Sequence, residues 1–140
     1  MSIYLLVPLV AIVLSQIIKF FVEYFQNNKF NFKRLFDGSG GMPSSHSTLV
    51  SSLTMTICLK EGFNSISFAI CLIFSLVVLY DSMGVRYEAG KQAEAINKIY
   101  KKMNIKYMYS SLKEKVGHRP IEVVCGILLG IAVSLIMTSI

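Results

Sequence analysis

The stretch IYLLVPLVAIVLSQIIKFF, residues 3–21, carries no charge before Lys19. A helix needs about 20 mostly apolar residues to cross the hydrocarbon core of a bilayer. Within lipid the backbone must satisfy its own hydrogen bonds, so a span of this kind has to be helical unless it joins a closed barrel. The stretch lacks a basic leader region and a small-residue cleavage site, so it reads as a retained membrane helix. Three further spans follow. One runs from residue 45 to residue 58 or 59; it is short and rich in Ser and Thr, which predicts a tilted or partly sheltered helix. The next covers about 65–80, with its first charge at Asp81, and the last covers 121–140, interrupted only by Glu122. The expected fold class is all-α, a polytopic bundle of about four transmembrane helices. Residues 1–140 are expected to form a single integral membrane domain.

Composition agrees. The chain is 54% hydrophobic and only 16% charged, where a soluble domain carries roughly a quarter. Its net charge is +6. Excess positive charge on so apolar a chain points to a membrane with basic polar segments. A nucleic-acid binder would need a basic face on a soluble domain, and the sequence offers none. Cys58, Cys71 and Cys125 all lie in apolar runs without metal-ligand spacing, which marks them as apolar filler.

The long polar segment lies between the third and fourth spans, about 86–119. Ala89, Ala93, Ile96, Tyr100 and Met103 recur there at helical spacing, with Lys91, Lys98, Lys101 and Lys102 at other positions. This predicts an amphipathic helix, followed by a shorter one containing Met108, Leu112 and Val116. Such a helix either lies on the membrane surface or packs its apolar side on the protein itself. The other basic loop, after the first span, holds Lys29, Lys33 and Arg34. An even number of crossings separates the two loops, so they share one side. The positive-inside rule then puts both in the cytoplasm and both termini outside.

The two histidines fall at helix starts on this same side. In DGSGGMPSSHS, residues 37–47, Gly38, Gly40 and Gly41 allow close backbone approach, and Pro43 and the serines start a helix. Free N–H groups at a helix start, with the hydroxyls of Ser44, Ser45 and Ser47, suit an anion; the plainer reading is a capped turn. In GHRPIEV, residues 117–123, Pro120 suits a first helical turn. Glu122 is then either a capping glutamate or the partner of His118, four residues away. A carboxylate on one ring nitrogen raises the basicity of the other. In YDSMGVR, residues 80–86, a break at Gly84 could bring Asp81 and Arg86 together. Arg86 suits phosphate because its planar fork bonds two oxygens. Lys19, at the same membrane surface, either points inward or snorkels to headgroups.

GGMPSSHS, DSMGVRYEAGKQAEAIN and LKEKVGHRPIEVV, in this order and with this topology, together resemble the acid phosphatase/vanadium-dependent haloperoxidase-related membrane proteins. That family is a divergent branch of the type-2 phosphatidic acid phosphatase superfamily, and the resemblance covers about residues 16–130. The superfamily motif Pro-Ser-Gly-His here reads Pro43-Ser44-Ser45-His46, and His-x-x-x-Asp reads His118 to Glu122. The resemblance implies that His118 attacks phosphorus to form a phosphohistidine and that Glu122 orients it. It further implies that His46 protonates the leaving alcohol, while Ser44, Ser45 and the backbone around Gly41 hold phosphate. The superfamily's Lys-x6-Arg-Pro motif is absent, and Leu112 stands where the third motif has Arg. Other cations must meet the phosphate charge: Arg86 first, then Lys19, Lys33, Arg34 and Arg119.

The expected function is a lipid phosphate phosphatase acting on a phosphomonoester such as phosphatidylglycerol phosphate, phosphatidate or a polyprenyl phosphate. The alternative is a non-catalytic binder or carrier of anionic lipids. No cofactor is expected; no metal is required, although Asp81 leaves a metal ion open. The expected partners are the lipid substrate and membrane lipids, with a second copy of the chain as a possible shield for the polar site. The expected location is the plasma membrane of a bacterium, with the site facing the cytoplasm.

Overall fold

The computed structural model describes residues 2–27, 41–103, 111–114 and 116–139. Lys29, Lys33, Arg34, Gly38, Gly40 and Met108 lie outside the described residues. Five helices are present among those described: α1 (Ile3–Asn27), α2 (Ser45–Glu61), α3 (Ile66–Met83), α4 (Val85–Lys102) and α5 (Pro120–Ser139). The protein is an all-helical membrane bundle. α1, α5 and the α3–α4 run are long and apolar enough to cross a bilayer.

α2 is the centre of the bundle. It packs most extensively on α5, then α1, then α3. This explains why a short Ser/Thr-rich helix is tolerated: its polar side chains meet protein, not lipid. Ser45, Ser47, Thr48, Ser52 and Thr56 are all buried, while Leu9, Val13, Ile70, Ile73, Val77 and Leu128 on the surrounding helices are exposed. Apolar residues outside and hydroxyls inside are what a lipid solvent requires, because every buried polar group must find a partner. Thr54 Oγ1 lies 2.8 Å from Ser75 Oγ on α3, and Ser134 Oγ on α5 donates to the Ser52 carbonyl at 2.7 Å. Interhelical hydrogen bonds of this kind contribute about 0.6 kcal/mol each on average.

Close approach of α2 and α5 depends on two glycines. A Cβ on Gly126 would overlap the Ser44 carbonyl, and one on Gly130 would overlap the Ser51 hydroxyl and the Thr48 carbonyl. Gly126-x3-Gly130 is thus the small-residue spacing that lets membrane helices touch through their backbones. At the far end, Val7 and Ala11 of α1 pack with Val133 of α5. The start of α1 and the end of α5 therefore lie together, away from the polar end.

Beyond α3 the chain breaks at Gly84 (φ −97°, ψ −90°) and continues as α4. α4 is amphipathic as expected, but its buried face is Gly90, Ala93 and Asn97. Ile96, Tyr100 and Met103 are exposed instead. The shorter helix expected around Leu112 and Val116 is absent among the described residues: 111–114 and 116–119 are non-helical. The reason is local. The Asn97 side chain accepts from the Leu112 N–H (3.1 Å) and donates to the Leu112 carbonyl and to Glu114 Oε1 (both 2.9 Å). Those backbone groups are used by α4 and are no longer available to a helical turn.

Candidate active site

Four helix ends meet at the polar end of the bundle. The last turns of α1 bring Lys19, the start of α2 brings His46, the end of α3 brings Asp81, and the segment before α5 brings His118. A small cleft there is lined by His46, Val78, Asp81, Ser82, Arg86, Val116 and His118.

The α2 side is built from the loop before it. Gly41 has φ 141°, a region L side chains rarely adopt, and the Met42–Pro43 peptide is cis. Ser44 is the N-cap: its hydroxyl accepts from the Ser47 N–H at 3.4 Å and from the Ser47 hydroxyl at 2.9 Å. Its own N–H donates to the Glu122 carbonyl at 2.9 Å. Ser44 is therefore fully buried and ties the start of α2 to the first turn of α5. His46, one turn position on, has its side chain at the open cleft.

Lys19 points inward. It is only 5% exposed, and Nζ donates to Ser45 Oγ at 3.2 Å, one of its contacts. A lysine at a membrane boundary normally snorkels outward; this one instead brings its charge to the α2 start. A buried ammonium costs desolvation that only polar or anionic partners offset.

His118 is held from three directions. Its N–H donates to the Ser82 carbonyl at 3.1 Å, and its Nδ1 lies 3.0 Å from Glu122 Oε2. Asn97 fixes the preceding residues, as described. Gly117 supplies the close approach, because a Cβ there would overlap the backbone of Tyr87. Glu122 serves both roles weighed from the sequence: Oε2 also accepts from the Arg119 N–H at 3.2 Å, capping α5. The His118 side chain is almost completely buried. Burial pushes its imidazole below the ordinary histidine value, the Glu122 hydrogen bond and charge push it back up, and Lys19 and Arg86 add to the lowering. The His46 and His118 ring centroids are 6.3 Å apart, with the planes inclined at 59°.

The break at Gly84 does bring Asp81 and Arg86 together: Arg86 Nε donates to Asp81 Oδ2 at 2.6 Å, and both side chains are partly exposed. Arg86 faces the cleft. Arg119 is exposed and is not among the cleft-lining residues. Among the described residues no three His, Cys, Asp or Glu side chains gather as a metal site. The three cysteines are free, and Cys58 and Cys71 are buried.

His46, His118, Glu122, Lys19, Ser45, Asp81 and Arg86 thus share one end of the molecule, from all five described helices and the loop before α5. Sequence reasoning missed three supports: Asn97, the Gly126–Gly130 contact and Gly117. The GILLG spacing was readable. Asn97 had no signal beyond being an amide on a helix whose buried face was not yet known.

Comparison with known proteins gives two findings. Residues 2–133 match the family described as the divergent PAP2 family. The chain is also 37% identical over 146 aligned positions to the "uncharacterized membrane protein YuiD" of Bacillus subtilis (strain 168), covering 95% of this chain and 92% of that protein. No solved structure gives a significant match.

Proposed function

The chain belongs to the divergent PAP2 family, and from that premise we propose that it is a phosphatase that removes a phosphomonoester from a membrane lipid through a phosphohistidine. The carrying observation is the pairing of the two histidines across one cleft, with Glu122 on Nδ1 of His118.

In this reading Glu122 accepts the Nδ1 proton of His118 and leaves the Nε2 lone pair free. Nε2 attacks phosphorus in line while the bond to the lipid oxygen breaks. His46, protonated, gives its proton to that departing oxygen, releasing the lipid alcohol. Water then attacks the phosphohistidine, its proton passes to His46, and the N–P bond breaks to return neutral His118 and free phosphate. The cleft offers about 20 Å³ of water-accessible volume, room for about one water molecule. The phosphoryl group therefore occupies the open side, between His46 and Arg86. Arg86 and Lys19 replace the missing family cations and stabilise the equatorial oxygens. Ser45 contributes its hydroxyl beside Lys19. Ser44, buried in the cap, fixes the loop and does not touch phosphate. Asp81 orients Arg86, and Arg119 stays at the margin.

The lipid's chains remain in the bilayer while its head enters the polar end. With that end in the cytoplasm of a bacterium, substrates are inner-leaflet lipid phosphates such as phosphatidylglycerol phosphate, phosphatidate or polyprenyl phosphates. The alternative, a binder of anionic lipids without chemistry, is favoured by one observation: Asp81 partly neutralises Arg86.

The test is phosphate release from a panel of lipid phosphates by purified protein in detergent. His118→Ala should lose activity by about 10³-fold or more, and His46→Ala by about 10²–10⁴-fold, with phosphate trapped on His118 in the His46 variant. Equal release from all three proteins would sink the phosphatase reading. Retained lipid-phosphate binding without release in the wild type would establish the binder.

A further inference from the structure

α3 and α4 form a helical run of 37 residues, 66–102, interrupted only at Gly84. At 1.5 Å per residue this is about 55 Å, well beyond the ~30 Å hydrocarbon core. α4 must therefore leave the bilayer or turn along its surface. Its side chains fall into three stripes. Gly90, Ala93 and Asn97 are buried against the segment that leads to His118. Lys91, Lys98, Lys101 and Lys102 occupy a basic stripe, with Lys98 and Lys91 also paired to Glu94 and Glu88. Val85 (65% exposed), Ile96, Ile99 (54%), Tyr100 and Met103 (65%) form an exposed apolar stripe. Among the described residues α3 is the one helix against which α4 packs, so no other described helix covers that stripe.

We propose that α4 lies in the headgroup region of an anionic bilayer, with the apolar stripe immersed and the lysines bound to lipid phosphates. Two observations select lipid as the occupant. The stripe starts at Val85, five residues beyond the exposed Tyr80 and eight beyond the exposed Val77 of α3, so it continues a surface that is already lipid-facing. The helix also carries five basic residues, Arg86 and the four lysines, against Glu88 and Glu94, a complement to anionic headgroups. Ile99 shares a shallow hollow with Lys98, Lys101 and Lys102, which sets apolar and cationic contacts side by side. The buried stripe gives the arrangement a consequence. Asn97 grips 112–114, and the Gly90 and Gly117 contacts close the same seam, so the depth of α4 sets the depth of His118.

The chain contains no tryptophan, so single-tryptophan variants of the full protein report position cleanly. Ile96→Trp, Ile99→Trp and Met103→Trp are placed in phosphatidylglycerol vesicles, with Ile73→Trp on α3 as the lipid reference and Glu94→Trp as the aqueous one. Expected is quenching by brominated lipid at all three positions, comparable to Ile73→Trp, and quenching by aqueous iodide at Glu94→Trp. Iodide quenching at all α4 positions would overturn the proposal. Protection from both quenchers that disappears on dilution would also overturn it, in favour of a second copy as the cover. In phosphatidylcholine vesicles lipid quenching should fall; an equal profile in both would overturn the anionic assignment. These readouts need no phosphatase activity, so they stand or fall separately from the proposed reaction.

Discussion

The side chain that most limits the proposed chemistry is His118. Its imidazole is pushed below the ordinary value of about 6.5, first by burial, against the pull of Glu122. In the folded protein the neutral form is thus favoured, and the unfolded chain binds the extra proton. Stability from this group is present above about pH 6.5 and is lost as pH falls through the lowered folded value. The same neutral form is the nucleophile, so the acid limb of phosphate release should lie below pH 6.5. Glu122→Gln keeps a hydrogen-bond acceptor and the cap but removes the upward pull. The limb should move to still lower pH while the rate falls about 10–100-fold; a pH–rate profile with an unmoved limb would argue against the pair. Lys19 gives a second residue-scale prediction. Lys19→Met keeps the side-chain volume but leaves Ser45 and the other contacts of Lys19 without their charged partner, so the unfolding temperature in detergent should fall. If Lys19 meets transition-state charge, kcat should drop about 10²-fold, and unchanged kcat in detergent assays would exclude it.

At the scale of elements, α2 holds the site only because α5 comes close enough to lock it. Ser44 N–H to the Glu122 carbonyl joins the two helix starts, and Gly126 and Gly130 continue that contact into the membrane. Gly130→Val must push the helices apart against Thr48 and Ser51. The expected cost is about 1–3 kcal/mol, measured as a lower unfolding temperature in detergent. Gly126→Val, nearer the polar end, should cost activity as well as stability, because it separates the helices that carry His46 and His118. A Gly126→Val protein with wild-type phosphate release would show that the α2–α5 contact does not set the site. α4 acts differently. It holds the His118 segment by hydrogen bonds to an irregular chain, which is why the described residues 111–114 and 116–119 are not helical.

For the whole molecule, topology follows from where the helix ends meet. The polar end gathers the end of α1, the start of α2, the end of α3 and the start of α5, and the start of α1 and the end of α5 lie at the other. If the positive-inside rule holds, an impermeant maleimide should modify Ser2→Cys and Lys60→Cys from outside intact cells. Glu94→Cys should react only after the cells are opened. The reverse pattern would put the histidine cleft outside and change the class of lipids it meets.

The sequence by itself determined the solvent and the class of fold, because runs of apolar residues near 20 long leave helices as the simple way to bury the backbone. It also marked the two histidine loops, since glycine, proline and serine beside a helix start have few other uses. Only the tertiary structure decided that α2 is the sheltered centre, that Lys19 points inward and that Asn97 holds the His118 segment. These depend on contacts between residues tens of positions apart, from Lys19 to Ser45 and from Ser44 to Glu122. Local pattern carries no record of such distances; it shows which face of a helix is polar, not which neighbour will meet it.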